Sequence, residues 1–104
     1  MRILPIILAA GALALASAAS SQTGLAVGIK NFSFSPTPVT VPVGGEVVWK
    51  NMDGEIHTVV SIDGAFRSAA LDEGDSFAFK FTRPGIYAYI CAVHPQMKGQ
   101  IIVK

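Results

Sequence analysis

The strongest constraint on the fold of this chain is a repeated alternation of apolar and polar residues in short segments. Residues 76–82 place three phenylalanines at every second position, and side chains at that spacing share one face of an extended strand. Six comparable runs, separated by Gly, Pro, Asp or Asn, lie at 25–29, 39–43, 46–50, 57–62, 86–91 and 99–104. Such runs predict an all-β protein, a Greek-key β-sandwich of about seven to eight strands.

Three local predictions accompany this fold. Residues 64–73 are the only stretch outside the first 18 residues in which we expect a helical turn. Tyr87 is expected to act as a corner-type tyrosine that bonds back to the backbone. Trp49 is expected to pack in the core, and Asn51 and Asp53-Gly54 are expected to form loops and turns rather than to bind a metal.

The first 18 residues are predicted to be a secretory signal peptide. Arg2 supplies a positive charge, residues 3–15 are apolar, and Ala16-Ser17-Ala18 is a small-residue cleavage site. An apolar run of about thirteen residues is shorter than the roughly 20 that a membrane span needs, so we expect no stable membrane insertion. Cleavage after Ala18 or Ala19 would release residues 19–104 as one exported domain, in the periplasm or outside the cell.

The charge balance of residues 19–104 limits the possible partners. This part of the chain holds seven basic and seven acidic side chains. Because no cluster of lysine or arginine could neutralise a phosphate backbone, we expect no nucleic-acid partner. A chain of this size forms one small domain, and we expect a monomer.

The single cysteine, Cys91, needs an explanation, because exported proteins usually pair their cysteines and this one has no internal partner. An intermolecular disulfide, a reactive thiol and a metal ligand are the alternatives. A lone Cys or Met usually packs in a core. Here, however, Cys91, His94 and Met97 form a C-x2-H-x2-M pattern between two predicted strands, and the second histidine, His57, lies at another strand end.

Two imidazoles, one thiolate and one thioether are the donor set of a type 1, or blue, copper site. Zinc rarely recruits a thioether, and structural zinc sites favour two or more cysteines. The chain has no C-x-x-C-H haem attachment motif and no acidic calcium-binding loop. We therefore predict one copper ion as the cofactor, with His57, Cys91, His94 and Met97 as its ligands.

Several motifs between Leu25 and Lys104 carry a family resemblance. They are Phe32-Ser33-Phe34-Ser35-Pro36, Val43-Gly44-Gly45, Trp49-Lys50-Asn51, His57-Thr58-Val59, Gly85 to Cys91, and His94 to Gly99. Together they resemble the cupredoxins, and the short loop from Cys91 to Met97 is similar to that of amicyanin- and plastocyanin-like members. The resemblance implies that His57, Cys91 and His94 hold copper in a near-plane, with Met97 as the axial ligand.

The resemblance also implies how electrons would reach the copper. The loop histidine, His94, is the ligand that the family leaves partly exposed, and redox partners are expected to dock transiently around it. Ala92, Val93, Pro95 and Met97 are expected to form an apolar patch there.

Two departures from the family pattern stand out. Thr58 occupies a position where many cupredoxins have an asparagine that links the two ligand loops, and its hydroxyl has a shorter reach. Without the predicted signal peptide, the chain is also shorter than amicyanin at its N-terminus, so an additional strand is expected to be missing there.

Three classes of function follow from this site. The leading hypothesis is an exported electron carrier, and the alternative is a protein of copper delivery, storage or resistance. Met52 and Met97 are the only methionines after the predicted leader, which favours the carrier over delivery. An enzyme is not expected, because two histidines cannot supply a second, catalytic copper, and a Cys–His nucleophile would leave Met97 unexplained.

Overall fold

The computed structural model describes residues 25–104, and the regular structure in this range is entirely β-strand. The eight strands are β1 Leu25–Lys30, β2 Ser33–Ser35, β3 Val39–Val41, β4 Glu46–Asn51, β5 Val60–Ser61, β6 Ser76–Lys80, β7 Gly85–Ile90 and β8 Lys98–Val103. Among the described residues we find no helical segment that could span a membrane. The predicted signal peptide, residues 1–18, and its cleavage position lie outside the described residues.

The strands form two mixed sheets of four strands each. One has the order β2-β1-β4-β6 and the other the order β3-β8-β7-β5. β1 runs parallel to β4 and β3 runs parallel to β8, whereas the remaining pairs are antiparallel. The predicted all-β sandwich is therefore confirmed, with eight strands.

Aromatic side chains fill much of the space between the sheets. Trp49 of β4 is fully buried, and its ring centroid lies 5.6 Å from that of Phe77 and 5.4 Å from that of Tyr89. Phe81 is buried, and Phe77 and Phe79 are partly buried and pack against the core. The predicted aromatic face of residues 76–82 and the core role of Trp49 are confirmed.

The predicted strand at 57–62 is much shorter in the structure, where only β5 is regular. His57 forms an isolated bridge with Leu71, in which each backbone N–H donates to the carbonyl of the other residue. Between the bridge and β5, the N–H of Val59 donates to the Ser68 hydroxyl at 2.8 Å. This side-chain acceptor takes the place of a backbone partner, so the ladder is interrupted.

The helical turn expected at 64–73 is absent, and that prediction was wrong. The backbone of this segment bonds instead to the segment before it: the Ser61 N–H donates to the Phe66 carbonyl, and the Ser68 N–H donates to the Val59 carbonyl. These bonds, between residues five and nine positions apart, take up groups that a helical turn would have paired within itself.

β2 is a strand that the sequence pattern did not reveal. A two-residue turn, Asn31-Phe32, joins it to β1, with Lys30 paired to Ser33. Both turn residues have positive φ, 53° and 56°, as a type I′ turn requires. Such turns are recognised mainly by glycine, which is absent here.

β7 carries alternate side chains inward to the point where the cysteine lies. Tyr89 and Cys91 are fully buried, and Tyr87 is partly buried. The Tyr87 hydroxyl donates to the backbone carbonyl of Arg83 at 2.8 Å, which confirms the predicted corner-type bond. Cys91 therefore points into the sandwich immediately after the last residue of β7.

Gly99 of β8 pairs with Tyr89 of β7, and a Cβ at Gly99 would overlap the phenol ring of Tyr89. Because that ring is fully buried, it has little room to move. We expect Gly99→Ala to lower the free energy of unfolding by about 1–3 kcal/mol in urea denaturation. Gly54→Ala is the matched control, since no atom lies within 4 Å of a Cβ there. An equal loss in the two variants would contradict the expected clash.

Candidate metal centre

The structure brings His57, Cys91 and His94 together at one end of the sandwich. The Cys91 Sγ lies 3.8 Å from His57 Nδ1 and 3.9 Å from His94 Nδ1, and one donor atom from each residue lies within 4.8 Å of the others. His57 comes from the segment between β4 and β5, whereas the other two belong to the β7–β8 connection. The fold thus brings His57 next to the Cys91 sulfur, although the two residues are 34 positions apart in the chain.

The loop from Cys91 to Met97 is closed by its own backbone. Met97 N–H donates to the carbonyl of His94 at 2.9 Å, and Cys91 N–H donates to the carbonyl of Met97 at 3.2 Å. Met97 is only 2% exposed. The short C-x2-H-x2-M spacing therefore produces a compact loop with its sulfur-containing residues buried.

The donor set suits a single metal ion. An ion about 2.0–2.3 Å from each nitrogen and sulfur would lie between three donor atoms spaced in this way. Together with Met97, the three residues have the arrangement of a type 1 copper site, and the thioether favours copper over zinc.

Thr58 connects the two segments that carry these residues. Its backbone N–H donates to Cys91 Sγ at 3.3 Å, and its hydroxyl accepts from Ala92 N–H at 2.7 Å. The same hydroxyl lies 3.8 Å from Sγ. Thr58 therefore makes the cross-loop bond for which many cupredoxins use asparagine, despite its shorter side chain.

The surroundings of Cys91 favour the thiolate. Burial has the largest single effect on the pKa of this thiol and raises it, but hydrogen bonds from the Thr58 N–H, from His57 and from His94 together lower the pKa to about 6. The thiolate is the form that binds metals. Near neutral pH the metal-free site thus presents a negatively charged sulfur to a cation.

Asp53 was expected to be only a turn former, and the structure shows that it also contacts the site. Its Oδ2 lies 2.9 Å from His57 Nε2. Hydrogen bonding by the Phe32 N–H is the largest cause that lowers the pKa of Asp53 below its usual value. The only signal in the sequence is that Asp53 lies four residues before His57, a spacing too common to be informative.

Asn51 organises the same loop, as the sequence predicted. It is fully buried, its amide donates to the carbonyls of Glu55 and Leu71 at 2.8 Å each, and its Oδ1 accepts from Asp53 N–H at 2.9 Å. These bonds hold Asp53 in reach of His57.

Phe32 is a second residue of the site that the sequence did not indicate. Its ring centroid lies 5.4 Å from that of His57 and 4.9 Å from that of His94, with interplanar angles of 86° and 82°. Nothing in its spacing relates it to either histidine, because the contact depends on how the β1–β2 turn folds back.

The surface around His94 differs in one residue from the predicted patch. Ala92, Val93 and Pro95 are exposed and His94 is partly exposed. Met97 is buried, so its inclusion in the surface patch was wrong. Its side chain packs in the buried core of the sandwich instead.

Comparisons with known proteins agree with this fold and site. A model of the cupredoxin-like domain matches residues 3–103, and the chain belongs to this family. Amicyanin-alpha of Methylorubrum extorquens is 33% identical over 103 residues, which cover 93% of this chain and 85% of the relative.

Two solved structures extend the comparison. The purple cupredoxin of Nitrosopumilus maritimus superposes with a TM-score of 0.72 at 31% identity, over 76% of this chain and 98% of that chain. A copper-containing nitrite reductase of Thermus scotoductus superposes with a TM-score of 0.73 at 34% identity, over 78% of this chain but 22% of that chain. The same domain thus occurs both alone and as a small part of a copper enzyme.

The metal-free protein should form the Cys91 thiolate at an unusually low pH. Because the pKa of the thiol is about 6, the ultraviolet thiolate absorbance should rise between roughly pH 5 and 7 rather than near the ordinary 8.5. Below this range a proton competes with the metal for sulfur. Cys91→Ser is the control and should show no such step. A midpoint above pH 8 would contradict the inferred environment.

Proposed function

We propose that this protein is a type 1 copper protein that carries single electrons between redox partners, with His57, Cys91, His94 and Met97 as the ligands. The observation that supports it is the convergence of the Cys91 thiol and two imidazole Nδ1 atoms, next to a buried methionine. Copper bound there would supply a one-electron Cu(I)/Cu(II) couple.

The protein contributes a donor arrangement that resists change. The His57 backbone is tied to Leu71, the Cys91–Met97 loop is closed by two backbone bonds, and Thr58 joins the two segments. Donors held in this way keep one geometry when the charge of the bound ion changes, so little reorganisation accompanies electron transfer.

Electrons would enter and leave through His94. Its Nδ1 faces Cys91 while its ring is partly exposed, whereas His57 and Cys91 are fully buried. The exposed side chains next to it, Ala92, Val93 and Pro95, carry no charge. Residues 19–104 are also balanced in charge. These features suit transient contacts with redox proteins, which bury less than about 1,200 Å².

The same observations weigh against the other functions. Buried sulfur donors are poorly accessible to the ligands of a copper acceptor, which argues against delivery. The whole chain has two histidines, both used in this site, so none remains for a catalytic copper. We therefore propose that the protein is not an enzyme. We further propose export to the periplasm or the outside of the cell, which the signal peptide predicted at residues 1–18 supports.

Loading the protein with Cu(II) should produce an intense blue thiolate-to-copper absorption band and a narrow copper hyperfine splitting in the EPR spectrum. Cys91→Ser should abolish both, because the charge transfer originates from the thiolate sulfur. Voltammetry of the parent should show a reversible one-electron couple. Preference for Cu(I) without reversible oxidation would instead support copper delivery and contradict electron carriage.

The rate of electron self-exchange between copies tests the docking surface without a known partner. Val93, which is 51% exposed, should be replaced by Asp. NMR of mixed oxidation states should then show self-exchange slowed about tenfold or more, because two like charges would face each other.

Ile86→Asp provides the matched control. Ile86 is 66% exposed and lies about 16 Å along β7 from Cys91, given the rise per residue of a strand. It should leave the self-exchange rate close to that of the parent. Equal effects of the two substitutions would contradict docking around His94.

A further inference from the structure

The turn between β1 and β2 holds an aromatic residue in a conformation that favours glycine. Phe32 has a φ of 56°, and bulky residues rarely adopt such values. A type I′ turn is formed most readily by Asn-Gly, and this turn is Asn31-Phe32. The Phe32 side chain is 44% exposed, so deep burial does not explain why phenylalanine occupies the position. Strain of this kind tends to persist where a side chain has a functional role.

The carboxylate of Asp53 holds this turn against His57. Its Oδ1 accepts from the Asn31 N–H at 2.7 Å, and its Oδ2 accepts from the Phe32 N–H at 3.0 Å. The same Oδ2 lies 2.9 Å from His57 Nε2. Because a carboxylate oxygen can only accept, a hydrogen bond here needs Nε2 as the donor. Nδ1, which faces the Cys91 sulfur, is then the nitrogen left for a metal. One carboxylate therefore holds a proposed ligand and the turn together.

The ring of Phe32 contacts both histidines. The two imidazole centroids are 5.0 Å apart, and the phenyl ring meets each of them edge to face, at 5.4 Å for His57 and 4.9 Å for His94. These distances and orientations are those of favourable aromatic pairs. Phe32 thus packs on the ring of His94 from an element outside both ligand loops.

We propose that Asp53 and Phe32 are positioning residues for the metal site. Asp53 sets the ring orientation of His57 and holds the turn, and Phe32 restrains the partly exposed ring of His94. This inference rests on the proposed copper site. A restrained His94 keeps its Nδ1 directed at the metal and limits the approach of water and competing ligands, whereas an unrestrained ring on a surface loop would not.

Phe32→Gly separates the role of the ring from that of the turn. It removes the phenyl group and creates Asn-Gly, so the turn itself should form at least as readily. Asn31→Gly is the matched control, because it relaxes the other positive-φ position of the same turn and keeps the ring. Phe32→Asn is a second ring-free variant, since asparagine also tolerates this conformation.

Three measurements should be made on each variant: urea unfolding of the metal-free protein, the EPR spectrum of the Cu(II) form, and copper release to a chelator. For Phe32→Gly and Phe32→Asn we expect copper release about 10–100-fold faster than in the parent, the range typical for the loss of a residue supporting a metal ligand. Their EPR spectra should change, while the metal-free Phe32→Gly protein remains as stable as Asn31→Gly. Asn31→Gly should keep the parent's spectrum and release rate.

Asp53→Asn tests whether the carboxylate acts through the turn. The amide keeps the shape but has only one acceptor oxygen, so at least one of the three bonds is lost. Copper release should again be faster. In the Phe32→Gly background the effect of Asp53→Asn should be smaller than in the parent, because the turn that Asp53 holds then carries no ring to restrain His94, and only the orientation of His57 remains to be disturbed. Additive effects would overturn the link between Asp53 and Phe32.

The outcomes separate this inference from the proposed function. If both ring-free variants keep the parent's EPR spectrum and release rate, Phe32 has no positioning role, even though the type 1 site itself stands. If the parent shows no type 1 spectrum, the proposed function fails first. A change that appears equally in Asn31→Gly would also overturn the role of the ring, because that variant alters only the turn.

Discussion

The sulfur of Cys91 is the point on which the rest of the metal centre depends. The Thr58 N–H, at 3.3 Å, and the two histidine Nδ1 atoms, at 3.8 and 3.9 Å, all converge on it. Cys91 follows β7 and points into the sandwich like Tyr89, because alternate residues along a strand share a face. The loop after β4 then closes over it through Thr58. If these two segments did not meet, His57 and His94 could not both face the Cys91 sulfur.

The sandwich makes that meeting precise enough for a metal. Tyr89 packs between Trp49 and Gly99, which fixes the last inward residue of β7 before the cysteine. Its neighbour strand β8 begins directly after Met97. The ligand loop is therefore anchored at one end in β7 and at the other in β8, and these two strands pair with each other. Its short length leaves few alternative conformations.

Prediction from sequence succeeded where the signal is local. The alternating phenylalanines of residues 76–82, the corner bond of Tyr87 and the C-x2-H-x2-M pattern depend on spacing within a few residues. It failed where a long-range partner decided the outcome. Residues 64–73 form no helical turn because their backbone bonds to residues 57–61. Asp53 and Phe32 belong to the site only because the loop after β4 contacts the β1–β2 turn.

The chemistry of the site follows from the residue types alone: one thiol, two imidazoles and a thioether, in segments that flank strands with inward faces set by period-two alternation. Tertiary structure alone decided how His57 reaches Cys91, which nitrogen it presents, and which residues stand behind it. Donor identity is a property of each residue, whereas orientation arises from hydrogen bonds between distant segments, such as those that Asp53 accepts from Asn31 and Phe32.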